Sequence, residues 1–159
     1  MKRNMQAFMG RRAELLAFVH LTRRDDVAVD RPAAADFGVD YLVSLAGQGT
    51  PPGRIFGVQA KALDGCVAHP GDLDRAPALR LKRQHPPAAP LPLCLFVFTM
   101  NDDRGFYGWL KEPVVGADGA AVLRLVDSIR WKELDDGGLG EIVAAVNDWY
   151  DARPYSQAA

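Results

Sequence analysis

The chain has little that would hold a soft metal and little that would cross a membrane. Two of its 159 residues are cysteines, Cys66 and Cys94, and three are histidines, His20, His69 and His85. Neither type is grouped at ligand spacing, which argues against a zinc site and against a disulfide framework. Two scattered thiols suit a reducing cytoplasm, and both are expected to be lone and buried. The longest apolar run, LPLCLFVF at 91–98, is less than half of the roughly 20 residues that a membrane helix needs. The opening MKRNMQAFMGRR is basic, but Arg11 and Arg12 interrupt it before the apolar stretch of a secretion signal can develop. The expectation is therefore a cytoplasmic chain with no membrane insertion.

A net charge of one sign is also missing. Nineteen basic and twenty acidic residues leave −1, so no overall basic field draws nucleic acid. Phosphate contacts have to come from local clusters. Arg23–Arg24 is one, and Arg80, Lys82 and Arg83 form another. Both suit backbone phosphates, and both suit plain solvated faces.

What is present reads as one globular unit spanning 1–159. Hydrophobic content is 48% and charged content 25%, both ordinary for a folded domain, and domains typically run about 100–150 residues. Residues 4–22 predict an amphipathic helix, with Phe8, Leu15 and Val19 on one stripe beside Met5 and Leu16. Glu14 falls on the flank of that stripe. VAVD at 27–30 predicts a short strand, and 39–45 a second. The GQGTPPG stretch at 47–53 is the clearest turn, and a third strand follows at 55–62, so that the last two form a β-hairpin. Residues 63–90 carry weak periodicity, with a short helix expected around 76–84. LPLCLFVF predicts a buried strand. NDDRG turns it into FYGWL at 106–110, GADG at 116–119 leads into VLRLV at 122–126, and 139–151 predicts a closing helix with Ile142, Val146 and Trp149 on one face. This order gives a mixed α/β or α+β domain.

The chemistry lies in the hairpin. Successive side chains in a strand point to opposite faces. In IFGVQAKA, Phe56, Val58, Ala60 and Ala62 share an apolar face, while Gln59 and Lys61 emerge together on the other. In the preceding strand Asp40 opens the face that carries Leu42 and Ser44. Antiparallel pairing lays the start of one strand beside the end of the next, so Asp40 falls close to Gln59 and Lys61. A carboxylate and an amide oxygen are hard ligands suited to Mg²⁺. A cation there polarises a phosphodiester oxygen, with Lys61 beside the phosphate to stabilise developing charge. Glu14 offers a second anionic ligand from the helix. The same residues also fit a solvated strand end in which Asp40 simply pairs with Lys61. The DFGVD segment has a turn reading as well, with Gly38 at positive φ and the aspartates capping it.

The order Glu14, DFGVDYLV, FGVQAKA resembles the PD-(D/E)xK nuclease superfamily in its Q-x-K variant. More narrowly it resembles the bacterial family catalogued as domain of unknown function 4365. A proline-led apolar strand (Pro92 with LCLFVF) and a tryptophan-bearing one (FYGWLKEP, with Trp109) extend the resemblance over about residues 8–115. It implies a restriction-endonuclease-like core, a mixed central β-sheet flanked by helices, with the first helix preceding the catalytic hairpin. It implies Mg²⁺- or Mn²⁺-dependent hydrolysis of DNA phosphodiester bonds, with Asp40, Gln59 and Glu14 at the metal and Lys61 at the phosphate. Defence against foreign DNA is the role of similar domains. Two positions depart from the common pattern: Gln59 stands where an acid is usual, which weakens the metal site in the absence of substrate, and Ala62 stands where Ser or Thr is frequent. A nuclease-fold module that cuts little and instead binds nucleic acid or a protein is the other reading. The short chain leaves room for a homodimer or for a partner protein that supplies specificity. Phe106, Tyr107 and Trp109 are expected as core and rim of the sheet more than as a base-stacking platform.

Overall fold

The computed structural model describes residues 2–32, 38–76 and 89–154, with side chains from Asn4 onward. Helix α1 (Lys2–Leu21) is followed by strands β1 (Val27–Asp30), β2 (Tyr41–Leu45) and β3 (Ile55–Leu63), then a 3-10 helix at Pro70–Arg75. Strands β4 (Leu93–Thr99), β5 (Gly105–Val115), β6 (Ala121–Leu125) and β7 (Lys132–Glu133) come next, and α2 (Asp136–Ala152) closes the fold. The strands form one mixed sheet in the order β1-β2-β3-β4-β5-β6. Among the described strands β3 and β4 pair parallel and the other pairs are antiparallel. Beside β4, β5 is long enough to take two further partners, β7 at Phe106–Tyr107 and β6 from Lys111 to Val115.

The α+β class is as the sequence implies, and the reasons are local. β4 sits mid-sheet and is buried along its whole length, which is why it reads as an unbroken apolar run. Loops turn where glycine or a short polar side chain accepts positive φ: Gly49 and Gly53 between β2 and β3, Asp103 between β4 and β5, and Gly119 between β5 and β6. Asp135 caps α2, its carboxylate accepting the Gly138 N–H at 2.7 Å. Ile142, Val146 and Trp149 of that helix are buried together, as their spacing predicts.

Two apolar clusters pack on the sheet. One joins Ala13, Ala17 and Leu21 of α1 and Leu139, Ile142 and Val146 of α2 to Val43, Phe56, Val58 and Phe96. The second gathers Val67, Leu73, Ile129 and Trp131 over Leu95, Val97 and Phe106. Gly108 shows how closely that second layer approaches: a Cβ there would come within 2.1 Å of Ile129.

Three expectations change. Helix α1 buries its alanines, and the stripe read as its inner face points largely outward. Met5, Phe8, Leu15 and Val19 are exposed, and of the five stripe residues Leu16 alone packs against the first cluster. Two alanines one turn apart let the helix axis approach the sheet closely, which larger side chains would prevent. Cys94 is buried as expected, but Cys66 is exposed. The sequence reading also misses β7 and the 3-10 helix. Residues 77–84 of the expected short helix lie outside the described residues, as do Arg80, Lys82, Arg83 and His85. Phe106 and Tyr107 are buried and Trp109 is half-buried, as core and rim. No helix among the described residues is long and apolar enough to cross a membrane.

Candidate active site

β2 and β3 pair in the register Tyr41↔Val58 and Leu42↔Gly57, so continuation of the ladder sets Asp40 opposite Gln59. Directly opposed residues in an antiparallel pair point to the same face. Asp40 sits where regular pairing gives way to the turn at Gly38, whose φ is +63°. Its backbone N–H donates to Val58 O at 2.9 Å. Its carboxylate accepts the backbone N–H of Ala60 at 2.7 Å. The side chain thus takes the place of a ladder carbonyl and is fastened to β3 between Gln59 and Lys61.

Gln59 is held from the other side. Its Nε2 donates to Gly38 O at 3.0 Å, which ties the amide to the turn before β2 and leaves Oε1 as its acceptor. Gln59 and Lys61 are aligned with Leu95 and Val97 of β4, both members of the second cluster. The face bearing Asp40, Gln59 and Lys61 is therefore the one opposite α1. All three are partly exposed. The structure brings these three together at one end of the hairpin.

Glu14 is placed differently. It lies on α1, against the other face, and its carboxylate forms an ion pair with Arg31. Its backbone carbonyl accepts a 2.8 Å hydrogen bond from the Tyr41 hydroxyl. Tyr41 follows Asp40 directly and points towards the helix, so it ties Glu14 to the start of β2 without joining the two carboxylates. Arg31 also lies over the Tyr41 ring, 5.7 Å from its centroid. Burial raises the Tyr41 pKa; Arg31 opposes that, while the charges of Glu14 and Asp40 add to it. Arg31 and Tyr41 are the residues that sequence reasoning passed over. Arg31 carries no motif, and Tyr41 alternates with Val43 and Leu45 on the buried face of β2, where it reads as core.

Elsewhere, Arg24 of the Arg23–Arg24 cluster makes two bonds to Asp26, at 2.7 and 2.6 Å. That hydrogen bonding holds the Asp26 carboxyl below its ordinary range. Arg24 is thus engaged in a structural pair at the α1–β1 turn.

The donor chemistry suits a hard divalent cation in kind: a carboxylate and an amide oxygen at one strand end, with a second carboxylate beyond Tyr41. Among the described residues no group of three or more His, Cys, Asp or Glu could hold a metal ion, and this set contains only two of those types. Comparison with family models, curated proteins and solved structures finds no match to the chain.

Proposed function

We propose that the chain is a metal-dependent nuclease that hydrolyses DNA phosphodiester bonds, with a core of the restriction-endonuclease-like kind. The observation that carries this reading is the anchoring of the Asp40 carboxylate on Ala60 N–H. It fixes an anion between a hard neutral ligand and a lysine on the same sheet face. The topology supports it: an antiparallel β1-β2-β3 unit followed by β4 parallel to β3, with α1 on one face. In the family that the sequence resembles, the acid leads one strand and the lysine closes the next; here Asp40 immediately precedes β2 and Lys61 lies two residues before the end of β3.

Asp40 and the Gln59 Oε1 would hold Mg²⁺ or Mn²⁺, while Glu14, paired with Arg31 on the α1 face, stands apart from them. The cation would supply Lewis acidity towards a phosphodiester oxygen. Lys61 stabilises the negative charge that develops on the phosphate. Asp40, tied to the backbone, keeps the donor set in register through turnover. With one anion at the strand end, the cation is held loosely until substrate phosphate adds its own oxygens.

A second reading draws on one observation. The Glu14–Arg31 pair occupies the second carboxylate, which favours a catalytically weak module that binds nucleic acid or a protein partner. Incubation of the purified chain with linear, circular and single-stranded DNA across Mg²⁺ and Mn²⁺ separates the two. Cleavage supports the nuclease; metal-independent DNA binding without cleavage supports the module.

A further inference from the structure

Five of the eight large apolar side chains exposed among the described residues lie on one helix: Met5, Phe8, Leu15, Phe18 and Val19 of α1. Their exposures run from 43% to 63%, so together they present on the order of 500 Å² of apolar surface, as much as the largest patch on a typical monomer. Two such faces closing on each other would remove about 1,000 Å² from water, the threshold for a specific interface.

The spacing of the stripe says what fits it. Positions 5, 8, 12, 15 and 19 follow the 3-4-3-4 interval of a helix-packing seam. Read backwards, the series keeps the same kind of interval. An antiparallel copy centred on residue 12 sets Met5 against Val19 and Phe8 against Leu15 and Leu16, at both ends at once. Arg12, the one charged position in the series, is drawn aside. It donates to Asp103 at 2.6 Å and to Met100 O at 3.3 Å.

Charge does not select the occupant: Arg12 is answered by Asp103 and Glu14 by Arg31, while Arg11 is exposed one turn from Phe8 and Leu15. What the face offers a partner is its spacing and its area, and a second copy matches both. We propose that the chain forms a two-fold dimer in which the outward face of α1 packs antiparallel against the same face of a second copy.

The test is the mass of the full chain in solution by sedimentation equilibrium over a hundredfold range of concentration. The expected result is reversible association to twice the 17.3 kDa of one chain, abolished in Phe8→Glu and Leu15→Glu. Both side chains are exposed, so the melting temperatures of these variants should stay within a few degrees of the parent. Orientation is read in a Cys66→Ser background. Met5→Cys combined with Val19→Cys should cross-link into disulfide dimers, whereas Met5→Cys alone should not. A monomer at every concentration overturns the proposal. So does a dimer that survives Phe8→Glu, because it would use another surface, and so does cross-linking by Met5→Cys alone, because it would be parallel. A monomer that binds vesicles of anionic phospholipid through Phe8 and Leu15 would assign the face to a membrane instead, and also overturns it.

Discussion

The Asp40 carboxylate accepts a 2.7 Å hydrogen bond from the backbone N–H of Ala60, the residue between Gln59 and Lys61. One side chain therefore serves both the ladder and the candidate site, and substitution can pull these roles apart. In Asp40→Asn an amide oxygen still accepts from Ala60, so stability should stay within about 1 kcal/mol of the parent. In Asp40→Ala that N–H loses its partner, at a cost of about 1–3 kcal/mol. Both variants should lose cleavage, because both lose the anion. Urea unfolding beside a nuclease assay checks this. An Asn variant that cuts at the parental rate would show that the carboxylate is structural.

Gln59 sets how the site takes its metal. A carboxylate attracts a hard dication more strongly than an amide oxygen does, so Gln59→Glu should tighten Mn²⁺ binding in a calorimetric titration. The change also removes the donor to Gly38 O and brings a second negative charge near Asp40. The metal-free variant should therefore melt below the parent and gain more from Mn²⁺, since a ligand that binds only the folded state stabilises it by mass action. Equal Mn²⁺ affinity in the two proteins would remove Gln59 from the metal site.

His20 gives the fold a pH dependence. Its ring packs against Phe98, tilted by 39° with the centroids 5.5 Å apart, and its buried Nδ1 has no hydrogen-bond partner among the described residues. Burial lowers its pKa below 6.5; Arg23 lowers it further and Asp136 opposes them. With the folded pKa below the unfolded one, the unfolded chain binds more protons in the interval between them. The stability tied to His20 is thus complete above about pH 6.5 and declines as the pH falls towards the folded value. His20→Leu should flatten melting temperature against pH between 7 and 5 relative to the parent. Parallel curves for the two proteins would contradict the assignment.

Much of the hairpin site was legible because strand parity is strict. Once Phe56, Val58 and Ala60 are inward, Gln59 and Lys61 have to share the other face. The positive φ of Gly38 belongs to the alternative turn reading of DFGVD, but the Asp40 carboxylate binds Ala60 N–H. The inner face of α1 was not legible. Hydrophobic spacing ranks large side chains as core, whereas close helix–sheet approach selects Ala13 and Ala17. The engagement of Glu14 was hidden for a related reason: its partner Arg31 is seventeen residues away, and long-range ion pairs leave no periodic trace. That β5 takes both β6 and β7 besides β4 depends on its length to Val115, beyond the strand expected at 106–110.

The most direct measurement of the central claim is the rate of DNA cleavage by the parent and by Lys61→Ala, in Mg²⁺ and in Mn²⁺, with DNA affinity measured in parallel. Removing one preorganised charge-stabilising group typically costs about 3–4 kcal/mol of transition-state stabilisation, or roughly a hundred- to thousandfold in rate. The account predicts metal-dependent cleavage by the parent, a loss of that size in the variant, and nearly unchanged DNA affinity and melting temperature. Parental cleavage by Lys61→Ala, or no cleavage by the parent with either metal on linear, circular or single-stranded DNA, would contradict it.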